Sequence, residues 1–134
     1  MALTSYDEIY QFFLNNISVD NLMLPSSIEG QYEAIRNGIS HYNNITRENV
    51  IADDETETVN VKLNNDQILI LAHCMKLILL QNILMYKNSI MIPFTKEIGV
   101  KNVGDQIKSI QASIEEEKNT IGMLIFNADD TTIM

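Results

Sequence analysis

The chain has 134 residues, 46% of them apolar and 20% charged, and its 18 acidic and 9 basic residues give a net charge of −9. That is one domain by length, able to bury about two thirds of the surface its unfolded form exposes and so to hold a core without staples. The scattered Lys and Arg exclude the clustered footprint of a nucleic-acid binder, and the lone cysteine, Cys74, excludes an internal disulfide framework.

The opening residues have neither a basic nor an apolar stretch, so no signal peptide is expected. A first helix is expected from Ser5, because Ser5 and Glu8 have the spacing of a capping box. Ile9, Phe12, Phe13 and Ile17 then share one face, and the helix fades at Asn15-Asn16. A linker from Val19 to Leu24 leads to Pro25. Ser26 and Glu29 form a second capping box. The stripe Ile28, Tyr32, Ile35, Ile39, Tyr42 steps by four and three residues, as one helical face requires. This helix should end near Asn43-Asn44.

Residues 45–64 are polar and carry the acidic cluster Asp53, Asp54, Glu55, Glu57. Val59, Val61 and Leu63 alternate with polar residues, the pattern of a short extended piece, so this long loop can hold a small β-hairpin. The cluster lacks the alternating acids, central Gly and terminal Glu of a calcium loop. A solvated loop is the plainer reading.

The third helix is expected over about residues 66–88, capped by Asn64 or Asn65. It is apolar almost all round, which predicts burial on several sides. At about 34 Å it is a rod that so small a monomer scarcely covers, which points to a neighbouring subunit over part of it. Residues 67–86 also approach the length of a bilayer span. Lys76 at their centre would cost roughly 2.5–3.5 kcal/mol on insertion, so a buried central helix is the expectation. Ile92-Pro93-Phe94 breaks it. The last helix opens near Asn102 to Asp105, with Val103, Ile107, Ile110, Ile114, Ile121 and Leu124 as its stripe, Glu117 interrupting it and Phe126 extending its apolar end. Glu115-Glu116-Glu117 reads as a solvated face. Ala128, Asp129, Asp130, Thr131, Thr132, Ile133 and Met134 show no helix signal and read as an extended tail.

Chemistry is sparse. His73 and Cys74 are neighbours that point about 100° apart on a helix, and no further His lies within helical reach to complete a zinc site. Cys74 reads as a buried, inert thiol. The five glycines build no phosphate loop. The carboxylate pairs Asp53-Asp54 and Asp129-Asp130 lie where solvent keeps them ordinary acids. No metal, cofactor or catalytic set is expected.

The fold class is therefore all-α: about four helices around a long buried central one, a long polar loop between helices 2 and 3, and a C-terminal tail. Residues 1–127 form the single domain and 128–134 the tail. Ile35, Ile39, Leu71, Met75, Leu79, Ile107, Ile110 and Ile114 are the expected core and subunit-packing positions.

The order of these features resembles the helical head–tail connector proteins of tailed bacteriophages, also called adaptor or head-completion proteins. The likeness rests on the apolar helix, on Ile92-Pro93-Phe94-Thr95-Lys96-Glu97-Ile98-Gly99, and on Val100-Lys101-Asn102-Val103-Gly104-Asp105-Gln106-Ile107 opening a final helix. It covers residues 65–127, and Tyr6-Asp7-Glu8-Ile9 fits loosely. The resemblance implies a structural protein of the virion neck, made in the host cytoplasm, without enzymatic activity and away from membranes. It implies a homo-oligomeric ring, often a dodecamer, bound to the portal protein above and to a tail-side neck protein below. DNA would pass through without specific binding. Asp53, Asp54, Glu55 and Glu57 are then candidates for a lumen or rim loop, and residues 128–134 for the portal contact. The competing reading is a small acidic helical interaction or regulatory module.

Overall fold

The computed structural model describes residues 2–19, 24–91 and 100–133. The first helix, α1, spans Tyr6–Asn16, and the Ser5 hydroxyl accepts from the Glu8 backbone N–H at 3.1 Å. Glu8 does not complete the box, because its carboxylate faces Lys62 at 3.5 Å. The second helix, α2, spans Ile28–Thr46. Its cap is Ser27, one residue later than expected, whose hydroxyl accepts from Gly30 N–H at 3.0 Å. The helix also outruns Asn43-Asn44 and stops at Arg47, which takes a left-handed conformation with φ 63°. Asn43 instead clamps the returning chain: its amide donates to Val50 C=O and accepts from Val50 N–H, both at 2.9 Å.

The loop that follows is pinned to the bundle. It carries β1 (Ala52–Asp53) and β2 (Thr58–Val59), paired antiparallel with Ala52 opposite Val59. Asp53 Oδ1 accepts from the backbone N–H groups of Glu55 and Thr56, an Asx-type turn, and Glu57 supplies the positive φ of 56° that closes it. The sequence did not announce a further strand-like partner. Residues 4–6 lie along the hairpin, with Thr4 N–H donating to Val61 C=O, Val59 N–H to Thr4 C=O and Tyr6 N–H to Glu57 C=O. Thr4 is fully buried and its hydroxyl accepts from Leu63 N–H at 2.8 Å. Val59 and Leu63 enter the core. Val61 does not, because β2 ends at Val59 and the chain turns outward there.

The central helix, α3, spans Asn65–Met91. Asn64 and Gln67 form the full reciprocal cap, side chain to backbone in both directions at 2.8 and 2.9 Å. Ile68, Ile70, Leu71, Ala72, Cys74, Met75, Leu77 and Leu80 are buried, which takes in every side of its first four turns. Helices α1, α2 and α4 (Val100–Ile133) all pack on it. Within residues 65–88 the most apolar 18-residue stretch has a mean hydropathy of 1.9, long and apolar enough to cross a bilayer by length and composition; here its inward positions form the protein core. Of the expected core residues, Ile35, Ile39, Leu71, Met75, Ile107 and Ile114 are buried, while Leu79 and Ile110 pack half-buried against the cluster.

Two expectations about the last helix are corrected. Glu117 is 5% exposed, so the Glu115–Glu117 run is not a uniformly solvated face. The helix does not release an extended tail after Asn127: α4 stays helical to Ile133. None of residues 128–133 is Pro or Gly, so nothing in the covalent chain ends it. The expected break at Ile92-Pro93-Phe94, the linker positions 20–23 and Met134 lie outside the described residues.

Candidate functional site

Two polar constellations stand out, both made by residues far apart in sequence. The first holds the acidic hairpin. Tyr6, on α1, donates its hydroxyl to Asp54 Oδ1 at 2.6 Å, and Arg36, on α2, pairs with the other oxygen of the same carboxylate. Tyr32 packs edge-on against Tyr6, with ring centroids 5.1 Å apart, and hydrogen-bonds to Glu57. Tyr42 donates to Glu48 at 2.7 Å, where Gln67 also reaches. Three phenols at successive levels of the bundle therefore hold three carboxylates of the loop.

This arrangement divides the candidate rim residues. All four are exposed. Asp54 and Glu57 are turned to the bundle by Tyr6, Arg36 and Tyr32. Asp53 caps its own turn. Glu55 has no side-chain partner among the described residues and is the freest charge of the group. A loop held this way presents fixed negative charge.

The phenols give a pH signature. Burial, then the hydrogen bond to Asp54, raises the Tyr6 hydroxyl far above its ordinary range. Burial and Glu48 do the same to Tyr42. The hydrogen bond to Glu57 and desolvation push Tyr32 up to about 12. All three favour the neutral form in the folded state, whereas unfolded tyrosine ionises near about pH 10. Their contribution is thus complete below about pH 10 and lost as pH climbs from there through about 12. The urea midpoint should fall steeply over that window, and less steeply in Tyr6→Phe. A midpoint level to pH 12 would show that the phenols are not held as described.

The second constellation joins α3 to α4. His73 Nδ1 donates to Glu117 Oε1 at 2.6 Å, and Lys76 Nζ stands 3.8 Å from Oε2. His73 and Lys76 lie three residues apart on one face of α3, so one carboxylate from α4 can meet both. Cys74 points away into the core, where burial and then Glu117 push its thiol up to about 12, so it stays protonated and unreactive at neutral pH. His41 is half-buried on α2, and desolvation and then Lys118 lower its pKa, so it sits as a neutral ring. Among the described residues no three His, Cys, Asp or Glu side chains converge as a metal would require. The sequence did offer one clue to this cluster: Glu117 falls on the apolar stripe between Ile114 and Ile121.

The His73–Glu117 and Lys87–Gln106 contacts run in opposite senses along the chain, so α3 and α4 are antiparallel. Asn65 begins α3 about 12 Å before His73, while Ile133 lies about 24 Å beyond Glu117. The last two turns of α4, residues 128–133, consequently run past the start of α3. Met123 and Phe126, on the approach to that end, are 66% and 65% exposed.

Residues 1–130 match the family of the YomZ prophage protein. A relative from Bacillus subtilis (strain 168), the SPbeta prophage-derived uncharacterized protein YomZ, is 43% identical over 126 residues, covering 94% of this chain and 96% of its own. No solved structure matches the chain.

Proposed function

The chain belongs to the YomZ prophage protein family, and from that phage origin we propose that it is a structural protein of the virion neck, joining the portal to the tail. The observation that carries the reading is the acidic hairpin, held rigid by tyrosines on an all-helical body of net charge −9. Fixed carboxylates repel phosphates, so DNA slides past such a surface without adhering. In this reading the subunits form a homo-oligomeric ring, a dodecamer, around the DNA channel. Asp53, Asp54, Glu55 and Glu57 line its lumen or rim. Residues 128–134, of which 128–133 are the end of α4, make the portal contact, and a tail-side neck protein docks opposite. The protein works in the virion after synthesis in the host cytoplasm, with no catalytic role and no membrane.

A projecting helical end suits this role. One such helix buries little surface, so a single subunit should bind weakly, and a ring of them strongly through multivalency. The second reading is a small acidic module that sequesters another protein, favoured by the carboxylates on the exposed surface. Stoichiometry separates the two: a regulator forms a dimer or a one-to-one complex.

The test pairs location with truncation. Purified particles from an induced lysogen should contain the protein at a copy number near that of the portal. Deleting residues 128–134 should leave the melting temperature within about 2 °C, because surface truncations change stability little, while portal binding is lost. Full binding by the truncated chain would remove the tail assignment. Absence of the protein from particles would overturn the neck reading.

A further inference from the structure

Beyond the neck reading, the antiparallel pair α1 and α2 leaves a groove on its outer side that nothing above uses. Its volume is about 280 Å³. That is below the roughly 300–1,000 Å³ of a small-molecule or cofactor pocket, and it suits one long side chain. Tyr10, Tyr32, Leu14 and Ile28 are among its lining residues. Leu14 and Ile28 stand open, at 41% and 66% exposed. Large aliphatic side chains so placed mark a contact surface when a polar rim surrounds them. The charged residues of the lining are Asp7 and Glu57, both exposed. No Lys, Arg or His lines the groove. Asp7 has no ion-pair or hydrogen-bond partner among the described residues, and neither has the Tyr10 hydroxyl.

Aromatic faces, aliphatic walls and two carboxylates without a cation together describe a receptor for a basic side chain. The methylene stem lies against Leu14 and Ile28, and the charged head reaches the rings and the carboxylates. We propose that the groove between α1 and α2 docks an arginine or lysine carried on an apolar-flanked segment of another protein. A second copy of this chain fits less well. Its charge of −9 repels a like surface at a distance, and Arg36, Lys62, Lys76 and Lys118 each already face a carboxylate of their own chain. Asp7 also sits in the first turn of α1, where a negative charge favours the helix. That role leaves its outer lone pairs free for a ligand.

The probe is a short amphipathic peptide of alternating Leu and Arg, with a Leu and Glu peptide of equal length as control, titrated into the full chain by calorimetry and followed by amide chemical shifts. The Arg peptide should bind and perturb amides of residues 6–14 and 28–35, and the Glu peptide should not bind. Asp7→Lys and Ile28→Ser should each weaken binding at least tenfold, the first with only the small fall in melting temperature that reversing a charge at a helix N-terminus brings, the second with the melting curve retained. Glu116→Lys, which makes the same charge change on the exposed face of α4, should alter it less than twofold. Equal losses for Asp7→Lys and Glu116→Lys would reduce the effect to bulk charge and overturn the proposal. So would shifts mapping elsewhere, or no binding at millimolar peptide. Self-association that Ile28→Ser abolishes would place a second copy in the groove and overturn it as well. None of these outcomes depends on whether the protein is found in virions, so the two readings fail separately.

Discussion

Gly38→Leu should cost more than about 3 kcal/mol, at or above the upper end for overpacked cores, out of the about 5–15 kcal/mol that holds a domain together. At Gly38, α2 lies directly against Met75 of α3. A Cβ there would stand 2.5 Å from Met75 Cγ and 3.4 Å from the Met75 Cα and backbone N. Met75 is itself fully buried, so its side chain has no open space to move into. A larger residue must force the helices apart, and that strips Ile35, Ile39 and Tyr42 from their contacts with α3. Urea unfolding followed by helical circular dichroism reads the loss as a lower midpoint. Gly38→Ala with Met75→Ala should be less destabilised than the sum of the two single changes, because the new methyl occupies part of the space the methionine vacates. Wild-type stability in Gly38→Leu would mean that the α2–α3 contact is not as close as described.

Removing both polar partners of Glu117 is the second large effect. His73→Leu with Lys76→Met leaves a carboxylate of 5% exposure facing apolar neighbours. Breaking a buried pair in this way costs about 3–5 kcal/mol, because the remaining charge is uncompensated. Adding Glu117→Leu as a third change should recover the stability, since replacing an entire buried ionic group with apolar residues is often neutral or better. Urea midpoints at pH 7 test both statements. A double variant as stable as the parent would show that Glu117 draws its stabilisation from elsewhere. The charged triad acts as a register device in this arrangement: Glu117 meets both His73 and Lys76 only when α4 is set against α3 in one position.

The helices were legible where side chains close to one another in sequence decide the matter. Ser5, the Pro25-Ser26-Ser27 step and Asn64 marked three helix starts to within a residue, because capping is a contact across three positions. The stripe through Ile35, Ile39 and Tyr42 is the buried face of α2, because 3.6 residues per turn dictates it. The end of α4 was misread for the opposite reason. After Ala128, residues 129–133 are weak helix formers but none is a breaker, and a helix already 28 residues long continues at little cost once nucleated.

The sites followed a different logic. Asp53, Asp54, Glu55 and Glu57 were visible as an acidic cluster, but which of them is free was not. That depends on Tyr6, 48 residues from Asp54, and on Arg36, 18 residues away. Thr4 gave no signal at all, although its backbone and hydroxyl bind the hairpin and the start of α3 into one piece.

By itself the sequence determined an all-helical chain with a long apolar helix at its centre, an acidic loop after the second helix and membership of the YomZ prophage protein family. Periodicity, capping and composition are local properties, and they act before the chain is folded. The tertiary structure alone decided that Glu117 is buried between His73 and Lys76, that Tyr6 and Tyr32 clamp the hairpin while Tyr42 holds Glu48 ahead of it, and that a groove lined by Asp7 and Glu57 opens between α1 and α2. Each depends on side chains that meet only after the helices pack. There, exclusion of water turns an ordinary carboxylate or phenol into a group that must find its partner.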